Sequence, residues 1–276
     1  MGTDKMRHLL SYAAFLFLIF GMVGYATADL ADDLVVYFTF DNVKGKRVFD
    51  ESGNGLDAEV IENTKFVKGK YGNAAHITRK TEDCVNVPTA DKMEIDDAIT
   101  MMAWVYHEDW TGSSSQWFDK GSYSEDFNSA YGMVVFDENE AGGGEWLDNG
   151  SAIGLILGGE FQVRIVIQNS MKNRTWHHIV GTCEDKGFKI YLDGEILVES
   201  WIPFDFRGVN DQDLRIGCAK GKQRYAFENG FIDEVAIWDR ALSEDEIRTA
   251  MQGPLFPVSP KNKVAMTWAD IKGKQF

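Results

Sequence analysis

The chain has 276 residues, 44% of them hydrophobic and 13% aromatic, with a net charge of −15 at pH 7. That length and apolar content suffice for one substantial core. The acidic balance argues against nucleic acid and anionic membranes as partners and leaves neutral glycans, cations and basic protein patches.

Residues 1–28 read as a signal peptide. Lys5, Arg7 and His8 make a positive start, Leu9 to Tyr25 form an almost wholly apolar run, and Ala26-Thr-Ala28 is an A-x-A cleavage site. The run is at the short limit for spanning a bilayer, so an uncleaved anchor is the alternative. Cleavage leaves a chain beginning at Asp29, secreted or held at a cell surface or in a periplasm, without further membrane contact. Three cysteines follow: Cys84, Cys183 and Cys218. An odd count allows at most one internal disulfide, and all three pairings stay open. Cys183 and Cys218 each end a strand-like run and fit as small buried apolar residues.

From Leu34 onward the pattern is short strands broken by Gly, Asn and Asp. Strands are expected near 34–40, 74–78, 84–87, 98–107, 115–119, 131–136, 152–157, 161–168, 176–183, 187–193, 196–201, 213–218 and 230–238. Asp193-Gly194 between two of them supplies the positive φ angles of a type I′ hairpin. Ser243 and Glu246 form a capping box that starts the one expected helix, 243–251. So many short strands predict an all-β, two-sheet antiparallel jelly-roll sandwich with one short C-terminal helix. Two long segments, 107–130 and 137–151, interrupt the pattern, and loops of that length are often functional. After Gly253, Pro254, Pro257 and Pro260 stop regular structure. The expected organisation is a signal peptide at 1–28, one domain at 29–253 and a basic tail at 254–276.

Seven motifs follow one another between Phe38 and Ile247: Phe38-Thr-Phe-Asp-Asn42, Asp50-Glu-Ser-Gly-Asn-Gly55, Gly69-Lys-Tyr-Gly-Asn-Ala74, Ala98-Ile-Thr-Met-Met-Ala-Trp-Val105, Trp176-His-His-Ile-Val-Gly-Thr182, Ile190-Tyr-Leu-Asp-Gly194 and the strand-plus-helix segment from Gly230 to Ile247. In that order the set resembles LamG-like jelly-roll domains of the concanavalin A-like lectin/glucanase group. The resemblance implies two sheets packed face to face, first and last strands adjacent, a non-catalytic binding role on an exported protein and, in many members, a structural calcium.

In strict alternation, Phe231, Asp233, Val235 and Ile237 share one face of the last strand, which places Asp233 among apolar neighbours. A lone carboxylate is costly there unless a cation or a hydrogen-bond network meets it. With adjacent terminal strands, Asp41 and Asp233 approach each other. Calcium takes six to eight oxygens, so backbone carbonyls or an amide such as Asn63 would complete the shell. The alternative is that Asp41 caps its turn and Asp233 accepts backbone N–H bonds. His177 and His178 point to opposite faces and read as packed strand residues. Trp110, Trp117 and Trp146, in or beside the long loops, are the candidate ligand anchors, because indole faces stack on sugar rings while nearby carboxylates bind hydroxyls. The alternative is that they pin the long loops onto the sandwich, since large aromatics usually bury surface. Glu94-Ile95-Asp96 begins the E-x-D-x-E pattern of related glucanases, but Ala98 occupies the required second glutamate position. The expected function is therefore non-catalytic binding of a glycan, with an extracellular protein partner as the first alternative and glycoside hydrolysis as the second.

Overall fold

A computed structural model describes residues 29–109, 115–121, 129–136, 152–158, 163–168, 171–202, 206–218 and 226–256. The expected signal peptide (1–28), residues 257–276 of the expected tail, and Trp110 and Trp146 lie outside them. No helix among the described residues is long and apolar enough to cross a membrane.

In chain order the strands are β1 (Leu34–Phe38), β2 (Val43–Lys44), β3 (Arg47–Val48), β4 (Ala58–Ile61), β5 (Lys65–Lys68), β6 (Asn73–Thr78), β7 (Cys84–Val87), β8 (Ala98–His107), β9 (Ser115–Lys120), β10 (Tyr131–Phe136), β11 (Ala152–Leu157), β12 (Val163–Gln168), β13 (Trp176–Glu184), β14 (Gly187–Leu192), β15 (Glu195–Trp201), β16 (Leu214–Ile216) and β17 (Asn229–Trp238). One helix, α1 (Glu244–Ala250), closes the described chain. Its capping box is formed as expected: the Ser243 hydroxyl accepts from the Glu246 N–H, and the Glu246 carboxylate accepts from the Ser243 N–H. The first sheet runs β15-β14-β13-β8-β17-β6-β5, with β1 also paired to β17, and the second runs β12-β11-β10-β9-β16-β7-β4-β3-β2. The expected adjacency of the terminal strands holds, with Tyr37 opposite Ala236 and Phe38 opposite Val235.

Alternation explains the packing. Ile99, Met101, Ala103 and Val105 of β8 face the second sheet, where Tyr131, Met133, Leu155 and Leu157 meet them in one core. Burying each such side chain stabilises by about 1.5–3 kcal/mol. The other face of β8 carries Met102, which joins Tyr37, Val180, Ala236, Trp238 and Ile247 in a smaller cluster under α1.

Strict alternation fails in β17. Glu234 adopts φ 50°, and the register to β8 shifts between Asp233 and Ala236. This β-bulge inserts one residue, so Val235 and Ile237 join Ile232 in the main core while Asp233 stays on the outer face with Phe231. The expected sharing of a face by Asp233, Val235 and Ile237 is thus corrected. The short strands β2 to β5 were absent from the sequence-based expectation. At Asp193 and Gly194, φ is 53° and 83°, as the hairpin turn requires. Cys84 and Cys218 form a disulfide with Cα atoms 5.2 Å apart, beside the β7–β16 ladder. The expectation of Cys218 as a simple apolar residue is corrected, whereas Cys183 is buried and free, its thiol pushed up to about 12 by burial.

Candidate functional site

Two rows of side chains cross the outer face of the first sheet. In the first, Asp233, Trp104 and His178 stand opposite one another on β17, β8 and β13. Asp233 is fully buried. Its Oδ2 accepts the N–H of Lys70 at 2.9 Å and of Tyr71 at 3.0 Å, and its Oδ1 accepts the N–H of Glu234 at 2.8 Å. Lys70 and Tyr71 belong to the turn between β5 and β6, which closes by a bond from Gly69 N–H to the Gly72 carbonyl. A β-carbon on Gly69 would lie 2.6 Å from Asp233 Oδ2, which explains the glycine. Asp41 takes the other side of the same turn, where its Oδ1 accepts from the Asn73 N–H at 2.8 Å and from Asn73 Nδ2 at 2.9 Å. Both expected aspartates thus meet one turn as hydrogen-bond acceptors. Asn63 lies in the turn before β5, and that strand separates it along the chain from the turn that meets both aspartates.

The charge here is unusual. Burial pushes Asp233 up to about 8, against the pull of its backbone N–H partners, and repulsion from Glu234 adds to the rise. Burial likewise pushes Glu234 up to about 7, opposed by its bond from the Tyr37 hydroxyl and helped by the charges of Asp41 and Glu51. Tyr37 itself is held far above the usual phenol range, chiefly by burial. Oxygen donors of this kind suit a hard dication. Among the described residues, however, no three His, Cys, Asp or Glu side chains converge on a possible metal position. A calcium ion here would therefore rest on the carboxylates of Asp41 and Asp233 with backbone carbonyls completing its shell.

The rest of this row is closed over. Lys70 Nζ stands 3.9 Å above the centre of the Trp104 ring, and Tyr71 meets that ring edge-on at 6.0 Å. The Tyr71 hydroxyl donates to the Met251 carbonyl at 3.0 Å, which ties the turn to the end of α1. His178 is fully buried against Trp104 and pushed down to about 3 by burial, so it is neutral. Its neighbour His177 faces the other way, as expected, and its Nδ1 donates to Asp193 Oδ2 at 2.8 Å while its Nε2 accepts the Lys172 N–H at 3.0 Å.

The second row lies two residues along the same strands. His76 on β6 is opposite Phe231 on β17, Phe231 is opposite Tyr106 on β8, and Tyr106 is opposite Trp176 on β13. Ring centres are 4.8 Å apart for His76–Phe231, 5.5 Å for Phe231–Tyr106 and 5.5 Å for Tyr106–Trp176. All four rings are half-buried. A polar row runs beside them. Thr78 Oγ1 donates to Asn229 Oδ1 at 2.9 Å, Asn229 Nδ2 donates to Asp109 Oδ1 at 2.9 Å, and Arg174 Nε donates to the Glu108 carbonyl at 3.3 Å. The Glu108 carboxylate lies 3.6 Å from His76 Nε2. An aromatic strip edged by amide, carboxylate and guanidinium groups can stack an apolar ring face and bond its polar rim at once.

Of the three tryptophans expected as ligand anchors, Trp110 and Trp146 lie outside the described residues. Trp117 is 0% exposed in the main core, and its Nε1 donates to His107 Nε2 at 3.1 Å. A ring without an exposed face cannot stack on a ligand, so that expectation is corrected. Sequence reasoning missed Tyr106, Trp176 and Phe231 as a group. Alternation places each on an outer face, but only strand register brings them into one line. Among the described residues, Glu94 is paired with a lysine. It accepts from Lys120 Nζ at 2.8 Å and from the Asn210 N–H at 2.8 Å, around a lysine that is itself fully buried.

Known proteins share this architecture. The human adhesion G-protein coupled receptor D1 is 25% identical over 225 residues, which is 76% of this chain and 22% of the receptor. The chain therefore spans about a fifth of that relative's length. The binding domain of Paraclostridial mosquitocidal protein 1 superposes with a TM-score of 0.62 at 16% identity, covering 80% of this chain and 52% of that one. Domain 4 of AbnA, an extracellular GH43 arabinanase from Geobacillus stearothermophilus solved with arabinotriose, gives 0.58 at 17% identity over 80% of this chain and 98% of that one. At those identities the structural likeness concerns the fold. The family model described as the concanavalin A-like lectin/glucanases superfamily matches residues 79–248, and the chain belongs to that family.

Proposed function

We propose that the chain is a non-catalytic binding module of an exported protein and that its ligand is a glycan. The half-buried aromatic row with its polar border carries this reading, because that pairing suits a ring with an apolar face and a hydroxylated rim. A similarly folded domain solved with arabinotriose supports it. So does an acidic surface, which favours neutral ligands over polyanions. An adhesion-receptor relative favours the second reading, a protein partner outside the cell. Calcium belongs to the same proposal as a structural ion. Asp41 and Asp233 would hold it, and it would neutralise carboxylate charge that burial otherwise makes costly.

The test is a glycan array probed with the exported protein. Binding that free sugar competes away is the expected result. Binding to a protein ligand that sugar leaves untouched overturns the glycan reading, and release of products from a polysaccharide overturns the non-catalytic one.

A further inference from the structure

The aromatic row has a length, a twist and a charge environment, and each narrows what it can hold. It crosses β6, β17, β8 and β13, so its ends lie three strand spacings apart, roughly 14 Å at about 4.8 Å each. The strand spacing is close to the length of one sugar unit in an extended chain. Successive rings are therefore spaced to take successive units of a chain laid across the strands.

The rings do not form a flat plane. Interplanar angles are 25° for His76–Phe231, 62° for Phe231–Tyr106 and 52° for Tyr106–Trp176. A flat crystalline array needs coplanar rings to make contact at several points. A single soluble chain whose units rotate about their linkages can follow a turning strip. The polar border adds direction along one edge, with Thr78, Asn229 and the Glu108 carboxylate toward the His76 end and Arg174 toward the other. It holds both a carboxylate and a guanidinium, on a chain of net charge −15. That environment disfavours sulfated or otherwise polyanionic chains.

We propose that His76, Phe231, Tyr106 and Trp176 form the binding strip for a soluble, neutral, linear oligosaccharide of about three units lying across the strands. This rests on the glycan reading above and adds the place, the length and the ligand class. Trp176 sits at one end of the strip and Tyr106 at its centre, so the two report different positions along the chain.

The experiment is calorimetric titration of the exported protein with cello-, laminari- and arabino-oligosaccharides, each from a single unit up to five. A heparin oligosaccharide and microcrystalline cellulose serve as charged and flat controls. Affinity for at least one series should rise with length and level off near three units, with little binding to either control. Trp176→Ala and Tyr106→Ala should each weaken that binding about tenfold or more, and Trp176→Phe should restore part of it. Trp201→Ala, at the most exposed tryptophan of the first sheet, should change nothing. Circular dichroism of each variant shows that it is folded, and a misfolded Tyr106→Ala leaves the decision to the two Trp176 variants. Glycan binding that is indifferent to Trp176→Ala and Tyr106→Ala overturns this strip while leaving glycan recognition intact. Equal affinity for one unit and five, or preference for cellulose or heparin, also overturns it. Failure to bind any glycan overturns both proposals.

Discussion

Asp233, Trp104 and His178 stand side by side on β17, β8 and β13, and Phe231, Tyr106 and Trp176 stand side by side two residues along the same strands. The rows share a sheet, a face and a set of neighbours, yet the first is buried and the second is half-exposed. The difference comes from what crosses above them. The turn at 69–73 lies over the first row, bonds to Asp233 through two backbone N–H groups and places Lys70 on the Trp104 ring. Strand register lines residues up on a sheet, but the covering loop decides which line becomes part of the core and which meets solvent. Polar residues follow the same logic. Under the turn, Asp233 is an acceptor in a closed network, whereas Asn229 and Glu108 border an open strip.

Substitutions should separate the covered residues from the open ones, and the largest effect should come from Trp117. Trp117→Ala removes a fully buried indole and leaves a cavity, so it should cost about 3–5 kcal/mol of stability in urea titrations. Any loss of ligand binding in that variant should match its unfolded fraction. A folded Trp117→Ala protein with selectively lost affinity would return Trp117 to the binding surface. Asp233→Ala should come next, because it leaves the N–H groups of Lys70, Tyr71 and Glu234 without their acceptor, at about 1–3 kcal/mol. If that variant melts like the parent, the turn does not depend on the carboxylate.

The pH dependence sharpens the same contrast. Asp233 and Glu234 rise from ordinary values of 3.8 and 4.5 to about 8 and about 7 in the folded state. The folded protein then binds more protons than the unfolded chain, so the slope of stability against pH is negative. With chelator present, their contribution should be full below about pH 4 and lost as pH climbs through 7 and 8. Asp233→Asn should remove most of that slope. Added calcium should flatten it as well and raise the melting temperature. Indifference to both calcium and chelator at every pH would leave Asp41 and Asp233 as hydrogen-bond acceptors alone. The smallest stability effect should be that of Trp176→Ala, about 1 kcal/mol or less for a half-buried ring. A loss as large as that of Trp117→Ala would make the open row a packing element and erase the comparison.

Much of this was legible in the residues. Long strands such as β8 and β13 stand out as runs of apolar, β-branched and aromatic residues buried over most of their length on both faces, and the Ser243–Glu246 box marks the start of α1 by itself. The adjacency of β1 and β17 followed from the resemblance in motif order. By contrast, β2 to β5 carry Lys44, Arg47, Glu59, Lys65 and Lys68 in strands of two to four residues, too short and too charged for alternation to show. They are strands because neighbours pair with them.

Local chemistry thus determined the fold class, the hairpin at Asp193-Gly194 and the helix cap, since each depends on residues within a few positions of one another. Only the tertiary structure decided the rest. The bulge at Glu234 turned Val235 and Ile237 inward, and long-range proximity paired Cys84 with Cys218 across 134 positions. Trp117 went into the core where the register of β9 against β10 shifts between Phe118 and Gln116, so that it and Phe118 are both buried there. Tyr106, Phe231 and Trp176 came into line through register between strands far apart in the chain, and a pairing of that kind leaves no mark in the order of residues along any one of them.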